Sequence, residues 1–160
     1  MLILLLADTG VRVSEALHLR WSDLNFADLL MTVHGKGPKV RTIPFSPAMR
    51  KYLIRFEQHS TKSGLKSDTI FCTRTGNALG RRTVNRDVHR LCKLLDIREP
   101  APIVHALRHS YALGALRAGA STMHVMRMLS HSSVTQTQAY CQLLTEDLSA
   151  CHARIGSLVA

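Results

Sequence analysis

Two long stretches of this 160-residue chain, residues 35–56 and residues 100–145, contain no acidic residue. Aromatic side chains are also sparse, at 5% with a single tryptophan, too few for a platform on which successive single-stranded bases stack. No segment approaches the roughly 20 apolar residues needed to cross a bilayer. The opening Met1-Leu-Ile-Leu-Leu-Leu-Ala7 is short, lacks a basic flank and has no small-residue cleavage site, so it does not match a signal peptide. It reads instead as a piece of buried helix. No helix pairs a lysine-rich face with Trp or Phe anchors, which argues against a peripheral-membrane role. The four cysteines (Cys72, Cys92, Cys141, Cys151) form no CxxC pair, and the nine histidines are scattered without HxH or HExxH spacing. No metal site and no cofactor is therefore expected. Without a secretion signal, the expected setting is a reducing cytoplasm with no disulfides.

The chain does have an apolar share of 46% and 20% charged residues, which exclude a disordered or fibrous protein. Its length suits one compact domain able to bury about two thirds of its unfolded surface. Basic residues outnumber acids 21 to 11, for a formal charge of +10. The surplus is even along the chain, eleven against six in residues 1–80 and ten against five in 81–160. It belongs to the fold and not to a tail, and it favours a polyanionic partner. With so few aromatics, duplex DNA gripped through its phosphates is the better match, although a charge run is more often only a solvated face.

Periodicity predicts a mainly α fold with one small antiparallel β-sheet, an α+β class. A helix over residues 1–9 stops at Gly10, and Ser14 to Leu19 form a second short piece. Leu30, Thr32 and His34, then Val40, Thr42 and Pro44, flank Gly35-Lys36-Gly37-Pro38 and read as a hairpin. Ser46-Pro47 opens a helix with apolar Met49, Tyr52, Leu53 and Phe56. Thr69 to Cys72 are a candidate third strand. Val84, Val88, Leu91, Cys92 and Leu95 mark a further helix whose other faces carry Arg81, Arg82, Arg86 and Arg90. Helices follow over about 104–118, 122–129 and 133–143, with a last one after Thr145-Glu146-Asp147.

Four groups of residues can do chemistry. In His105-Ala-Leu-Arg108-His109, positions i, i+3 and i+4 share a helix face and set a guanidinium beside an imidazole, a phosphate clamp next to a base. Arg12 follows the Gly10 helix stop with Glu15 three residues on, either an ordinary surface pair or an arginine held for a ligand. Lys36 sits between Gly35 and Gly37 at the hairpin tip, where it either solubilises or swings into a groove. His131 opens a helix among hydroxyl-bearing neighbours, nine residues before Tyr140. Each taken singly has a structural explanation.

Their order along the chain does not. Arginine, hairpin lysine, HxxR, His and Tyr together resemble the catalytic domain of the tyrosine recombinases, the phage-integrase family. The resemblance runs from about Leu2 to Leu144 through TGVRVSEALHLRWSDL, GKGPKVRTIPFS, HALRHSYA and LSHSSVTQTQAY. It implies the catalytic-domain fold of that family and site-specific cleavage and rejoining of DNA through a 3′-phosphotyrosyl bond. Carried across residue by residue, Tyr140 is the nucleophile, Arg12 and Arg108 hold the phosphate oxygens and His105 assists proton removal. Lys36 protonates the departing 5′ oxygen, His131 adds a hydrogen bond to the phosphate, and Glu15 supports the site. Lys39, Arg41, Arg81, Arg82 and Arg86 are the candidate DNA-backbone contacts.

The resemblance also implies duplex DNA as partner, a homotetramer on DNA for the full-length protein, and a monomer or weak dimer for this chain. It implies a cytoplasmic, nucleoid-associated protein of bacterial or phage origin. Residues 145–157 are either a segment passed to a neighbouring protomer or a helix packed on their own domain. The chain is expected to be one catalytic domain over 1–160, without the family's N-terminal core-binding domain and without the start of its own first helix. Ser130 stands where the family commonly has glycine. The competing readings are a type IB topoisomerase-like nicking and closing activity and a catalytically silent duplex-binding module.

Overall fold

A computed structural model of the chain describes residues 1–35, 37–65, 67–97 and 103–129. The chain divides into two compact units, Met1–His109 and Ser110–Ala160. The first begins with helix α1 (Leu2–Thr9), which ends where Gly10 enters the left-handed region at φ 64° and returns its N–H to the Leu6 carbonyl. Only glycine takes that conformation without steric cost. Helix α2 (Val13–Leu17) follows after Val11 and an extended Arg12.

A three-stranded antiparallel sheet comes next, in the order β1 (Leu24–Asn25), β2 (Leu30–His34), β3 (Val40–Pro44). The expected hairpin is present with Thr32 opposite Thr42, and Gly35 closes it by donating to the Lys39 carbonyl at 2.7 Å. Met31, Val33 and Ile43 face the core, while Thr32, Thr42 and Pro44 do not. Because directly paired residues share a face, Arg41, opposite Val33, belongs to the inward set.

The expected third strand at Thr69–Cys72 is replaced by two isolated bridges, Arg20 with Thr69 and Cys72 with Ala78. Ile70 and Phe71 are both buried, a consecutive pair that does not alternate as a half-buried strand must. The third strand is the two-residue β1, paired through Leu24 with Met31.

Helix α3 (Pro47–Lys62) starts as its sequence predicts, with the Ser46 hydroxyl accepting from Met49 N–H and proline at the first helical position. The Ser46 N–H donates in turn to Asp8 at the end of α1 (2.9 Å). Met49 and Leu53 are buried, but Tyr52, expected on that stripe, is exposed. Phe56 lies between Trp21 and Phe71, with ring centroids 6.3 and 6.1 Å away. Helix α4 (Arg81–Leu94) buries Val84, Val88 and Cys92, whereas Leu91 and Leu95 stay exposed. The apolar repeat continues further along α4 than its cover among the described residues.

Helix α5 (Ile103–Arg117) contains the division between the units. Val104 and Leu107 pack on the core of the first. In the second, Ala112 and Leu116 of α5 bury with Val125 and Leu129 of α6 (Thr122–Leu129). The turn between them uses Gly119 at φ 91°. The helices predicted after residue 130 lie outside the described residues.

Candidate active site

The loop from Gly10 to Arg12 is the organising element of the site. Gly10 ends α1, Val11 is buried, and Arg12 takes the extended conformation that starts α2. At the third residue of α2, Glu15 returns a carboxylate to this helix start, accepting from the Arg12 N–H at 2.9 Å. Such a reciprocal contact satisfies an amide left over at a helix N-terminus and places the negative charge favourably in the dipole.

Glu15 is only 7% exposed, and four hydrogen bonds account for its oxygens. Oε1 accepts from Arg12 Nη1 (3.2 Å) and Arg41 Nη1 (2.9 Å). Oε2 accepts from the Arg12 N–H and from Arg41 Nη2 (2.8 Å). Burial works against its ionisation, but the Arg41 hydrogen bonds, the Arg12 amide and the two positive charges outweigh it. The carboxyl is held below its ordinary 4.5. Arg41, named above among the candidate DNA-backbone contacts, is closed on this carboxylate, its side chain 14% exposed.

Arg108 is 6% exposed. Its Nη1 donates at 2.7 Å to the Gly10 carbonyl, 98 positions away in the sequence. That carbonyl belongs to the residue ending α1, so a charged donor from α5 meets the negative end of another helix. One short loop thus carries Arg12 and anchors Arg108. His105, one turn earlier on α5, is exposed, as is His109. Of this triplet on α5 the arginine is buried and both imidazoles are exposed. Lys39, Arg81, Arg82 and Arg86 are exposed on the hairpin and α4. Arg86 pairs with Asp87 at 3.2 Å, both side chains mostly in solvent, a contact of small energetic consequence.

Lys36, Ser130, His131, Tyr140 and residues 145–157 lie outside the described residues. Among the described residues, no three His, Cys, Asp or Glu side chains lie close enough to hold a metal ion, and no helix is long and apolar enough to cross a membrane. Two contacts escaped the sequence reading, the Gly10 carbonyl with Arg108 and Arg41 with Glu15. The Gly10 carbonyl left no signal, since any residue supplies one. Arg41 did leave one: it stands two residues before buried Ile43 in a strand, on the same face.

The ion pair makes a prediction. With its folded value depressed, Glu15 contributes stability fully above its ordinary range, and the contribution is lost as pH falls through the lowered value. Glu15→Gln is expected to cost about 3 kcal/mol at pH 7, because Arg41 keeps a buried charge without its counter-ion. The gap between wild type and variant, followed by urea unfolding, should close as pH drops below 4.5. A gap independent of pH would contradict the ionic account.

Helices around a small three-stranded sheet, with Arg108 of α5 bonded to the loop that carries Arg12, are the features on which the comparison with known proteins turns. The Phage integrase family model matches residues 1–147, and the chain belongs to that family. Tyrosine recombinase XerD of Corynebacterium glutamicum is 36% identical over 155 residues, covering 92% of this chain and 49% of that protein. The crystal structure of XerA recombinase superposes with a TM-score of 0.80 at 28% identity, over 96% of this chain and 56% of that one. XerH recombinase, in a pre-cleavage complex with its difH substrate, gives 0.77 at 25% identity, over 92% and 43%. The chain therefore spans about half the length of the relatives it matches.

Proposed function

We propose that this chain cleaves and rejoins duplex DNA during site-specific recombination, through a 3′-phosphotyrosyl intermediate on Tyr140. The observation that carries this reading is the buried Arg108 guanidinium tied to the Gly10 carbonyl, two residues before Arg12. A guanidinium on this loop and a second one anchored to it suit the two non-bridging oxygens of a phosphodiester, and they meet the charge that grows on phosphorus in the transition state.

The Tyr140 Oη attacks the phosphorus and the bond to the 5′ oxygen breaks. His105 takes the phenolic proton, Lys36 supplies one to the departing 5′-hydroxyl, and His131 donates to a phosphate oxygen. A 5′-hydroxyl from a partner strand reverses these steps. One ester replaces another, so bond energy is roughly conserved and no nucleotide hydrolysis is needed. The exposed Lys39, Arg81, Arg82 and Arg86 serve as duplex-backbone contacts. In the full-length protein the active assembly is a tetramer on DNA, working in the cytoplasm at the nucleoid.

A suicide duplex, nicked so that the short cleaved strand diffuses away, tests the reading. The wild-type chain should form an SDS-resistant protein–DNA adduct. Salt-dependent duplex binding without any adduct would leave a silent binding module instead. Adduct formation accompanied by relaxation of supercoils, with no exchange between two duplexes, would point to a nicking and closing enzyme.

A further inference from the structure

Arg41 occupies a position where a small sheet facing a core is expected to hold an apolar side chain. It is opposite buried Val33 and two residues from fully buried Ile43. Its guanidinium closes on Glu15 through both Nη atoms, at 2.9 and 2.8 Å. Stability alone gives little reason for this, because buried ion pairs are often replaced by apolar residues at no cost. A two-point clamp does impose geometry, however. A planar fork bonded to both oxygens leaves a carboxylate little freedom to rotate.

The other two bonds to that carboxylate come from the Arg12 N–H and Arg12 Nη1. Whatever holds Glu15 therefore also sets where the Arg12 side chain can go. We propose that Arg41 is a positioning residue of the strand-cleavage site, its clamp on Glu15 fixing the carboxylate that orients the Arg12 guanidinium toward the scissile phosphate. This rests on the function proposed above. Arg41 touches no reacting atom; it acts through Glu15, 26 positions earlier in the chain. With four donors on its two oxygens, Glu15 is saturated as an acceptor and serves as a fixed bracket. The depressed carboxyl value agrees, since Arg41 is foremost among the groups that favour the ionised form. The clamp also ties β3, and with it the hairpin that carries Lys36, to the start of α2.

Two measurements on the full 160-residue chain test this. The first needs no catalysis. The Nε–H resonance of Arg12 in the free protein should be sharp in the wild type, and broadened or exchanged away in Arg41→Gln and Arg41→Lys. The lysine variant keeps the charge and the fold but loses the fork, so it decides the matter if the glutamine variant does not fold. The second is single-turnover adduct formation on the suicide duplex. Both variants should be slowed roughly 10- to 100-fold, the range typical of residues that orient a site's ligands. Duplex affinity should stay within about twofold. Adding Glu15→Gln to Arg41→Gln should slow the reaction no further than Glu15→Gln does, since the two residues act in series. An unchanged Arg12 signal would overturn the proposal, as would a salt slope of duplex binding reduced by about one, the mark of a direct phosphate contact. If the wild-type chain forms no adduct, the proposed function fails, and the Arg12 resonance still decides the positioning role.

Discussion

Tyr140→Phe is expected to abolish the covalent adduct on a nicked suicide duplex and to leave duplex binding within about twofold. The substitution deletes one oxygen and keeps the ring, so packing changes little and the loss reports the nucleophile. A phenol near its ordinary pKa of about 10 attacks poorly at neutral pH. Its use as a nucleophile requires a base and a cationic surround. In the reaction proposed above, His105, exposed one turn from Arg108 on α5, is the base, and the guanidinium groups of Arg12 and Arg108 are the cations. Denaturing gels of the trapped reaction give the readout. Adduct formation by Tyr140→Phe equal to wild type would remove the assignment and move the search to another hydroxyl.

The second large effect belongs to Arg108. Arg108→Ala should lower the adduct-forming rate by roughly 10³-fold or more, the range seen when a donor aimed at developing transition-state charge is deleted. A smaller stability loss of about 2 kcal/mol should accompany it, because the Gly10 carbonyl gives up a charged donor. The two effects separate in Arg108→Lys. An ammonium keeps the charge but cannot place one fork on the Gly10 carbonyl and on a phosphate together, so stability should recover more than rate. Urea unfolding beside single-turnover kinetics distinguishes them. A rate loss no greater than the loss of folded protein would show that Arg108 serves the fold alone.

Much of the fold was legible because its signals are local. The Gly10 stop, the Ser46-Pro47 start and the hairpin at Gly35–Lys39 depend on residues within a turn of one another, and all three stand in the structure. The failures are equally specific. The hairpin's pairing was legible but its parity was not assigned: the core takes Met31 and Ile43, and Thr32 and Thr42 turn outward because the pleat allows one parity only. The consecutive apolar pair Ile70–Phe71 resembled a strand, but only its flanking residues Thr69 and Cys72 make bridges, each isolated. Leu91 and Leu95 fit the helical repeat without being covered.

Residue order and residue type were sufficient to mark Arg12, Lys36, His105, Arg108, His131 and Tyr140 as a set and to class the chain among the phage integrases, since a sequence of spaced motifs survives without coordinates. The partners of those residues were another matter. That Arg108 would enter the core and bond a helix-ending carbonyl, and that Arg41 would turn inward onto Glu15, depended on contacts 98 and 26 positions apart. Contacts of that kind are chosen by whichever buried charge has no better neighbour once the chain has closed on itself. Burial makes the choice compulsory, because a guanidinium or carboxylate withdrawn from water must find its counterpart within reach.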